Sequence, residues 1–408
     1  MSRHSKSRLI DLQVNEALYL IGFAGIMLRQ LIVKVNSVTI FDIPRSSIAS
    51  SLVALSTVAL IVKCLTQRYS ARQFVVVAVL CAMGAFVTID SGSSTYSALL
   101  LFVVAGLDVK LENLARVSLV INVVFLTMVL LAYWSGALAP VYMVRNGVLM
   151  ARNSLGFTQP NYFGRTVINI LMSWAVLRHP KFGVAGVALF VASSYLIMTT
   201  ADSYTSVAIV IFAAALFLLL PYVARLDNVK PFLVVMVVVV AFAIIASVYF
   251  LILYSPSNAL HKTINSLMHG RPAGAHARYV QYGLTLFGSN ASRRELSFME
   301  DLGYALWPDN AYARFLLTYG IVPSAILFAA YVGTMIRSAR SRHLGLCVVG
   351  LMIFSVLGIT ERWALDFTTN YFMIVFTDLL YGIPLEINDE SIRELSTNAD
   401  TSNETSMC

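Results

Sequence analysis

The sequence predicts an all-α polytopic membrane protein of about 12 transmembrane helices, with a large extracytoplasmic loop before the tenth. Three observations predict it. The 408 residues are 58% hydrophobic and only 12% charged, about half the charge of an ordinary soluble domain. Apolar runs of about 17 to 25 residues recur along the whole length, each long enough as a helix to cross a hydrocarbon core about 30 Å thick. Every second loop between them is basic, the alternation expected when Lys and Arg collect on the cytoplasmic side. The short strands of alternating polarity that build a β-barrel are absent.

Taken in order, the basic start MSRHSKSR is followed by no small-residue cleavage site, so it reads as a cytoplasmic lead into a retained helix. The predicted spans are about 12–33, 47–62, 74–89, 96–107, 117–138, 163–177, 182–199, 204–221, 232–254, 312–336, 344–359 and 367–385. Together they make one membrane domain over residues 1–385, with major outer loops at about 139–162 and 255–311. The inner loops carry Lys63, Arg68 and Arg72, then Lys110 and Arg116, Arg178 and Lys181, Arg225 and Lys230, and finally Arg337, Arg340 and Arg342. Both termini are therefore expected in the cytoplasm. The tail 386–408 is rich in Ser, Thr, Asn, Asp and Glu and is expected to be disordered.

The net charge of +8 reads first as a topology signal, and nucleic acid is not an expected partner. Cys64, Cys81, Cys347 and Cys408 form neither a disulfide framework nor a metal-ligand spacing. No Asp-x-Asp or His/carboxylate cluster stands in an outer loop, so neither metal nor cofactor is expected.

Positive charge on the outer face opposes the insertion rule and needs a cause. Arg145, Arg152, Arg271, Arg278, Arg293, Arg294 and Arg362 fall there, with Arg165 and Arg314 just inside their helices. A guanidinium presents a planar fork of donors that matches phosphate oxygens two at a time, so an anionic ligand on the outer leaflet is the simplest cause. Pairing with Glu295, Asp301 and Glu361, or contact with headgroups, is the plainer reading, strongest for Arg293 and Arg294. Asp309 and Glu361 are the carboxylates at an outer boundary; partial burial raises a carboxylate's pKa and suits it to take a proton near neutral pH. Asp309 with Asn310 also fits a helix N-cap, and Glu361 beside Arg362 also fits a structural ion pair. His276 is a weaker acid-base candidate. Tyr279, Tyr282, Trp307 and Tyr312 fit either a sugar-stacking surface or the aromatic belt of a membrane interface.

Three patches in the outer loops are patterned. The first is RNSLGFTQPNYFG at 152–164, with an arginine, then Gly-Phe, then Pro-Asn leading into a helix. In the second, NSLMHGRPAGAHARYVQYGLTLFG at 265–288, a Gly-Arg pair precedes a short aromatic helix and a Phe-Gly turn. The third is DNAYARFLLTYGI at 309–321, where the large outer loop re-enters the membrane. In this order the three patches resemble the integral-membrane polysaccharide polymerases and ligases, the Wzy and O-antigen ligase superfamily. Arg145 with Gly156 also fits an arginine-to-glycine spacing of some polymerases. The resemblance implies an enzyme of a bacterial cytoplasmic membrane that polymerises undecaprenyl-diphosphate-linked oligosaccharide repeats into capsule, exopolysaccharide or O-antigen. A chain-length regulator and a flippase are the further partners it implies. On that reading Arg271, Arg152 and Arg278 neutralise the departing diphosphate, and Asp309 or Glu361 takes the acceptor proton. Arg145, Asn161, Arg165, Asn310 and Arg314 bind diphosphate or sugar.

This sequence departs from the pattern at two places. The ligases' histidine at the start of the third patch is replaced by Asp309, which leaves a ligase-like transferase as the alternative. ADSYTS at 201–206 has Tyr204 where many polymerases carry an arginine between small hydroxyl residues. A flippase or other transporter of lipid-linked sugar is the alternative from another class; it calls for ionisable residues or broken helices near the bilayer midplane.

Overall fold

We describe residues 3–37, 39–40, 43–139, 141, 143–145, 148–150, 153–226, 228–289, 309–341 and 345–382 of a computed structural model. The chain is an all-α bundle. Its long helices are α1 (Arg3–Ile32), α2 (Arg45–Thr66), α3 (Ala71–Ser91), α5 (Leu111–Trp134), α6 (Pro160–Arg178), α7 (Gly183–Ala201), α8 (Tyr204–Val223), α9 (Lys230–Leu253) and α13 (Ile321–Ser341). Shorter ones are α4 (Thr95–Ala105), α10 (Ala259–Leu267), α11 (Arg271–Tyr282), α12 (Ala311–Tyr319), α14 (Leu346–Gly358) and α15 (Phe376–Tyr381). Strands among the described residues are two antiparallel hairpins, β1 (Thr39–Ile40) with β2 (Ile43–Pro44) and β3 (Met143–Arg145) with β4 (Val148–Met150).

Seven helices among the described residues are long and apolar enough to cross a membrane: α2, α3, α5, α7, α8, α9 and α13. Their outward faces are apolar, with Leu65, Ile89 and Val184 at least 80% exposed; a surface of this kind is stable against lipid and not against water. Polar groups turn inward instead. Ser173 Oγ donates to Ser118 Oγ at 2.9 Å and lies 3.0 Å from the Tyr371 hydroxyl, joining α5, α6 and the chain's last described segment. Helices that cannot rely on hydrophobic exclusion from one another pack through small residues. At Gly22 in α1 a Cβ would stand 2.6 Å from the Leu60 side chain of α2, so α1 and α2 approach closely where α1 carries no side chain.

Contacts between loops segregate to two ends. At the basic end, Lys63 Nζ donates to Leu107 O (2.8 Å), Asn113 to Glu16 (2.8 Å) and Arg337 to Asp378 O (3.1 Å). At the opposite end, Asn36 and Thr158 exchange backbone hydrogen bonds with Gly156 and Lys34, and Ser93 meets Tyr319. The alternation read from the loop charges thus corresponds to two physical ends, and the described residues 255–289 and 309–311 lie at the end away from the basic loops.

Two predicted spans differ. The tenth, expected as one helix over 312–336, is broken at Gly320, whose φ of +88° ends α12 before α13 begins. Residues 285–289 pack into the break: Ile321 N donates to Thr285 O (2.9 Å) and Val322 N to Leu286 O (3.0 Å). The twelfth, expected as a helix over 367–385, begins as a buried irregular segment. Short 3₁₀ turns occupy Arg362–Leu365 and Tyr371–Val375, and α15 follows. The cause is composition: Glu361, Arg362, Asp366, Thr368, Thr369 and Asn370 all make or seek side-chain bonds that a lipid-facing helix leaves unmet. At 13 residues, α14 is only about 20 Å long, so this segment sits recessed between longer neighbours.

Candidate functional site

The cluster is built where α11, α12 and the segment after α14 meet at the end away from the basic loops. Gly270, in the left-handed region at φ +82°, turns the chain so that Arg271 becomes the first residue of α11. A cation there faces the partial positive charge of its own helix, and carboxylates relieve both. Two are present. Arg271 Nε lies 3.5 Å from Asp309 Oδ2, and its Nη2 lies 3.8 Å from Glu361 Oε1.

Glu361 is 4% exposed. Burial pushes its carboxyl from an ordinary 4.5 up to about 7; Arg271 pulls it down and Asp309 pushes it up. Near neutral pH it therefore exchanges a proton readily, while Asp309, with a side chain 46% exposed, opens towards solvent. Asn161, in the first turn of α6, brings Nδ2 to 3.5 Å from Glu361 Oε1, at the outer limit of hydrogen-bond length. Four residues named from sequence, Arg271, Asp309, Glu361 and Asn161, thus come together from stretches up to 200 positions apart.

The structural reading of Glu361 with Arg362 is not realised: these side chains diverge. Arg362 Nη2 donates to the Tyr162 hydroxyl at 2.9 Å, and Lys34 Nζ sits 4.5 Å above the Tyr162 ring. Burial lowers the pKa of that ammonium, with Arg362 and Arg165 adding to the effect and Tyr162 opposing it. Two cations thus stand on one phenol beside a buried carboxyl, a local concentration of positive charge of the kind that attracts anions. Lys34 and Tyr162 were not among the expected site residues. The available signal was Lys34 itself, a further positive charge on the outer side of the first span.

Arg271 is expected to face a diphosphate, but it lies between two carboxylates that offset its charge. In this geometry it positions them, and Arg362 and Lys34 are the better anion ligands. Arg165 is 6% exposed and is fully engaged by protein. Its guanidinium bonds Gln30 and Thr369, lies 3.6 Å from Asp366 Oδ2 and stacks 5.5 Å from Trp363. It staples α6 to α1 and to the irregular segment. Asn310 is the N-cap of α12: Oδ1 accepts from Ala313 N (2.9 Å), while Nδ2 donates to Ser247 Oγ (2.8 Å) and Ile359 O (3.0 Å). Capping thus falls to Asn310 and leaves Asp309 for Arg271.

Arg278 lies two turns beyond Arg271 on α11, buried, donating to Gln281 Oε1 (3.1 Å) beside the Tyr282 ring. Arg314 is half-buried in α12. Arg145 ends β3, its backbone paired with Val148; Arg152, Arg293, Arg294, Trp307 and the tail from 383 lie outside the described residues. His276 Nδ1 bonds Leu251 O at 2.9 Å, which ties α11 to the end of α9. Tyr312 is fully buried and donates to Ser355 O at 2.9 Å, a core residue and not a sugar platform. Among the described residues no three His, Cys, Asp or Glu side chains group as metal ligands do.

Comparison of the chain with models of protein families, with curated proteins and with solved structures gives no match.

Proposed function

We propose that the protein is a membrane-embedded glycosyltransferase that joins lipid-diphosphate-linked oligosaccharide repeats on the extracytoplasmic face, a polysaccharide polymerase. The observation that carries this reading is the Asp309–Arg271–Glu361 bridge beside the Lys34–Tyr162–Arg362 wall, recessed at the end away from the basic loops. Such transfer breaks the bond between the anomeric carbon and the diphosphate oxygen, and the electron pair leaves with the diphosphate. The acceptor hydroxyl oxygen forms the new bond and its proton passes to a base. Glu361, with its carboxyl near 7, suits that base, held in register by Arg271 and Asn161. Arg362 and Lys34 suit the growing diphosphate charge, fixed in place before the reaction. The same wall serves a ligase-like transferase equally well. Transport of the same lipid is the alternative from another class; it calls for a break near the bilayer midplane, whereas Gly320 lies at the end of the bundle, followed by the 21 residues of α13.

The test pairs sidedness with product. A membrane-impermeant maleimide should label Lys262→Cys in whole cells, and Arg225→Cys only after permeabilisation, each in a cysteine-free background. Arg271→Ala and Arg362→Ala should each leave single lipid-linked repeats in place of long polymer, with membrane level unchanged. Labelling in the opposite sense, or normal chain length in both variants, removes the reading.

A further inference from the structure

A second polar opening lies on the other side of Arg165. Between α1, α2 and α4 the bundle forms a partly open cleft of about 180 Å³. Its lining changes character with depth. Arg29, Gln30, Ser94 and Thr95 stand at the end of α1 and the start of α4, whereas Leu60, Leu101 and Phe102 line it deeper in the bundle. Seven helical residues separate Thr95 from Phe102, so the two levels differ by about 10 Å along the membrane normal. A cleft polar above and apolar below fits an amphiphile better than a soluble sugar or an ion.

Two observations give the sign of the head group. Arg29, half-buried in the last turn of α1, makes no ion pair or side-chain hydrogen bond among the described residues, whereas Arg165 and Arg271 are both paired with carboxylates. No Asp or Glu lines the cleft. A half-buried cation with no partner among the described residues, and no carboxylate beside it to compete, calls for an anionic oxygen ligand. The cleft also communicates with the candidate site, since Gln30 bonds Arg165 and Thr368 follows Glu361 on the same irregular segment.

We propose that this cleft binds a phosphate-headed lipid, the head group on Arg29 and the start of the chain against Leu60, Leu101 and Phe102. The proposal rests on the membrane-spanning reading and not on the transferase reading. Its chemistry is shared by an anionic phospholipid of the leaflet and by a polyprenyl phosphate, and the experiment separates them.

Full-length protein, purified in detergent, is titrated with dioleoyl phosphatidylglycerol, undecaprenyl phosphate, dioleoylglycerol and inorganic phosphate, with bound lipid read by native mass spectrometry. Phosphate-bearing lipids should be retained, and dioleoylglycerol and inorganic phosphate should not. Arg29→Ala should weaken retention about tenfold or more, the loss of one charge-assisted contact, and Arg29→Lys should restore part of it. Ala98→Phe, which fills the cleft and leaves Arg29 in place, should abolish it. Arg271→Ala should bind as the native chain does. Preference for undecaprenyl phosphate assigns the cleft to the carrier of the proposed substrate, and preference for phosphatidylglycerol assigns it to a structural lipid. Unchanged binding in both Arg29→Ala and Ala98→Phe, or equal retention of dioleoylglycerol, overturns the proposal. Normal polymer in both Arg271→Ala and Arg362→Ala sinks the transferase reading and leaves this proposal standing.

Discussion

Replacing Glu361 by Gln tests the site most sharply, because it moves stability and activity in opposite directions. The carboxyl titrates at about 7 in the folded protein against an ordinary 4.5. Below 4.5 both states hold the proton, and burial costs nothing through this group. Between 4.5 and 7 the unfolded chain has released a proton that the folded chain keeps, so stability falls as pH rises. Above 7 the folded chain bears the whole penalty, about 3 kcal/mol as an upper bound from the two values. Gln copies the protonated form and keeps an oxygen facing Asn161. Glu361→Gln should therefore melt a few degrees higher than the native chain at pH 8 and at the same temperature at pH 4, measured by thermal unfolding in detergent. The same variant should lose polymerisation, since the amide accepts no proton, while the native rate should climb with pH through about 7. A variant no more heat-stable than the native chain at pH 8 would refute the burial argument, and one that still makes long polymer would refute the role as base.

Two further changes separate structural from chemical residues. Asn310→Ala removes the cap of α12 and the bonds to Ser247 and Ile359, a loss of about 2–4 kcal/mol; it should appear as a lower melting temperature, with activity per folded molecule retained. Gly320→Ala forces a side chain into φ +88° and places a Cβ 2.7 Å from Leu286 O. The α12–α13 junction should loosen by about 2–4 kcal/mol, which limited proteolysis near residues 285–320 would detect as faster cleavage.

Much of the site was legible because charge in the wrong place is conspicuous against an apolar background. Asp309, Glu361 and Asn161 stood out as polar residues at predicted span boundaries and Arg271 as a cation in the outer loop, and they meet. What was not legible was who pairs with whom. Glu361 and Arg362 are adjacent in sequence, yet the turn sends one side chain to Arg271 and the other to Tyr162. Asp309 and Asn310 were equal candidates for the cap until backbone geometry assigned it to Asn310. Arg165 looked available from its position at a helix start, and only packing of α1 and the irregular segment around it reveals that protein already holds it. Gly320, one glycine in a long apolar run, carried no mark that a helix ends there.

By itself the sequence determined the solvent: its scarcity of charge and its apolar runs admit a helical bundle in lipid and little else, and its basic loops alternate so that the ends of that bundle differ. Tertiary structure decided which charges are spent on holding the fold and which remain open to a ligand. That distinction depends on distances between helices far apart in the chain, and side-chain pairing across such gaps follows from packing, on which local residue order is silent.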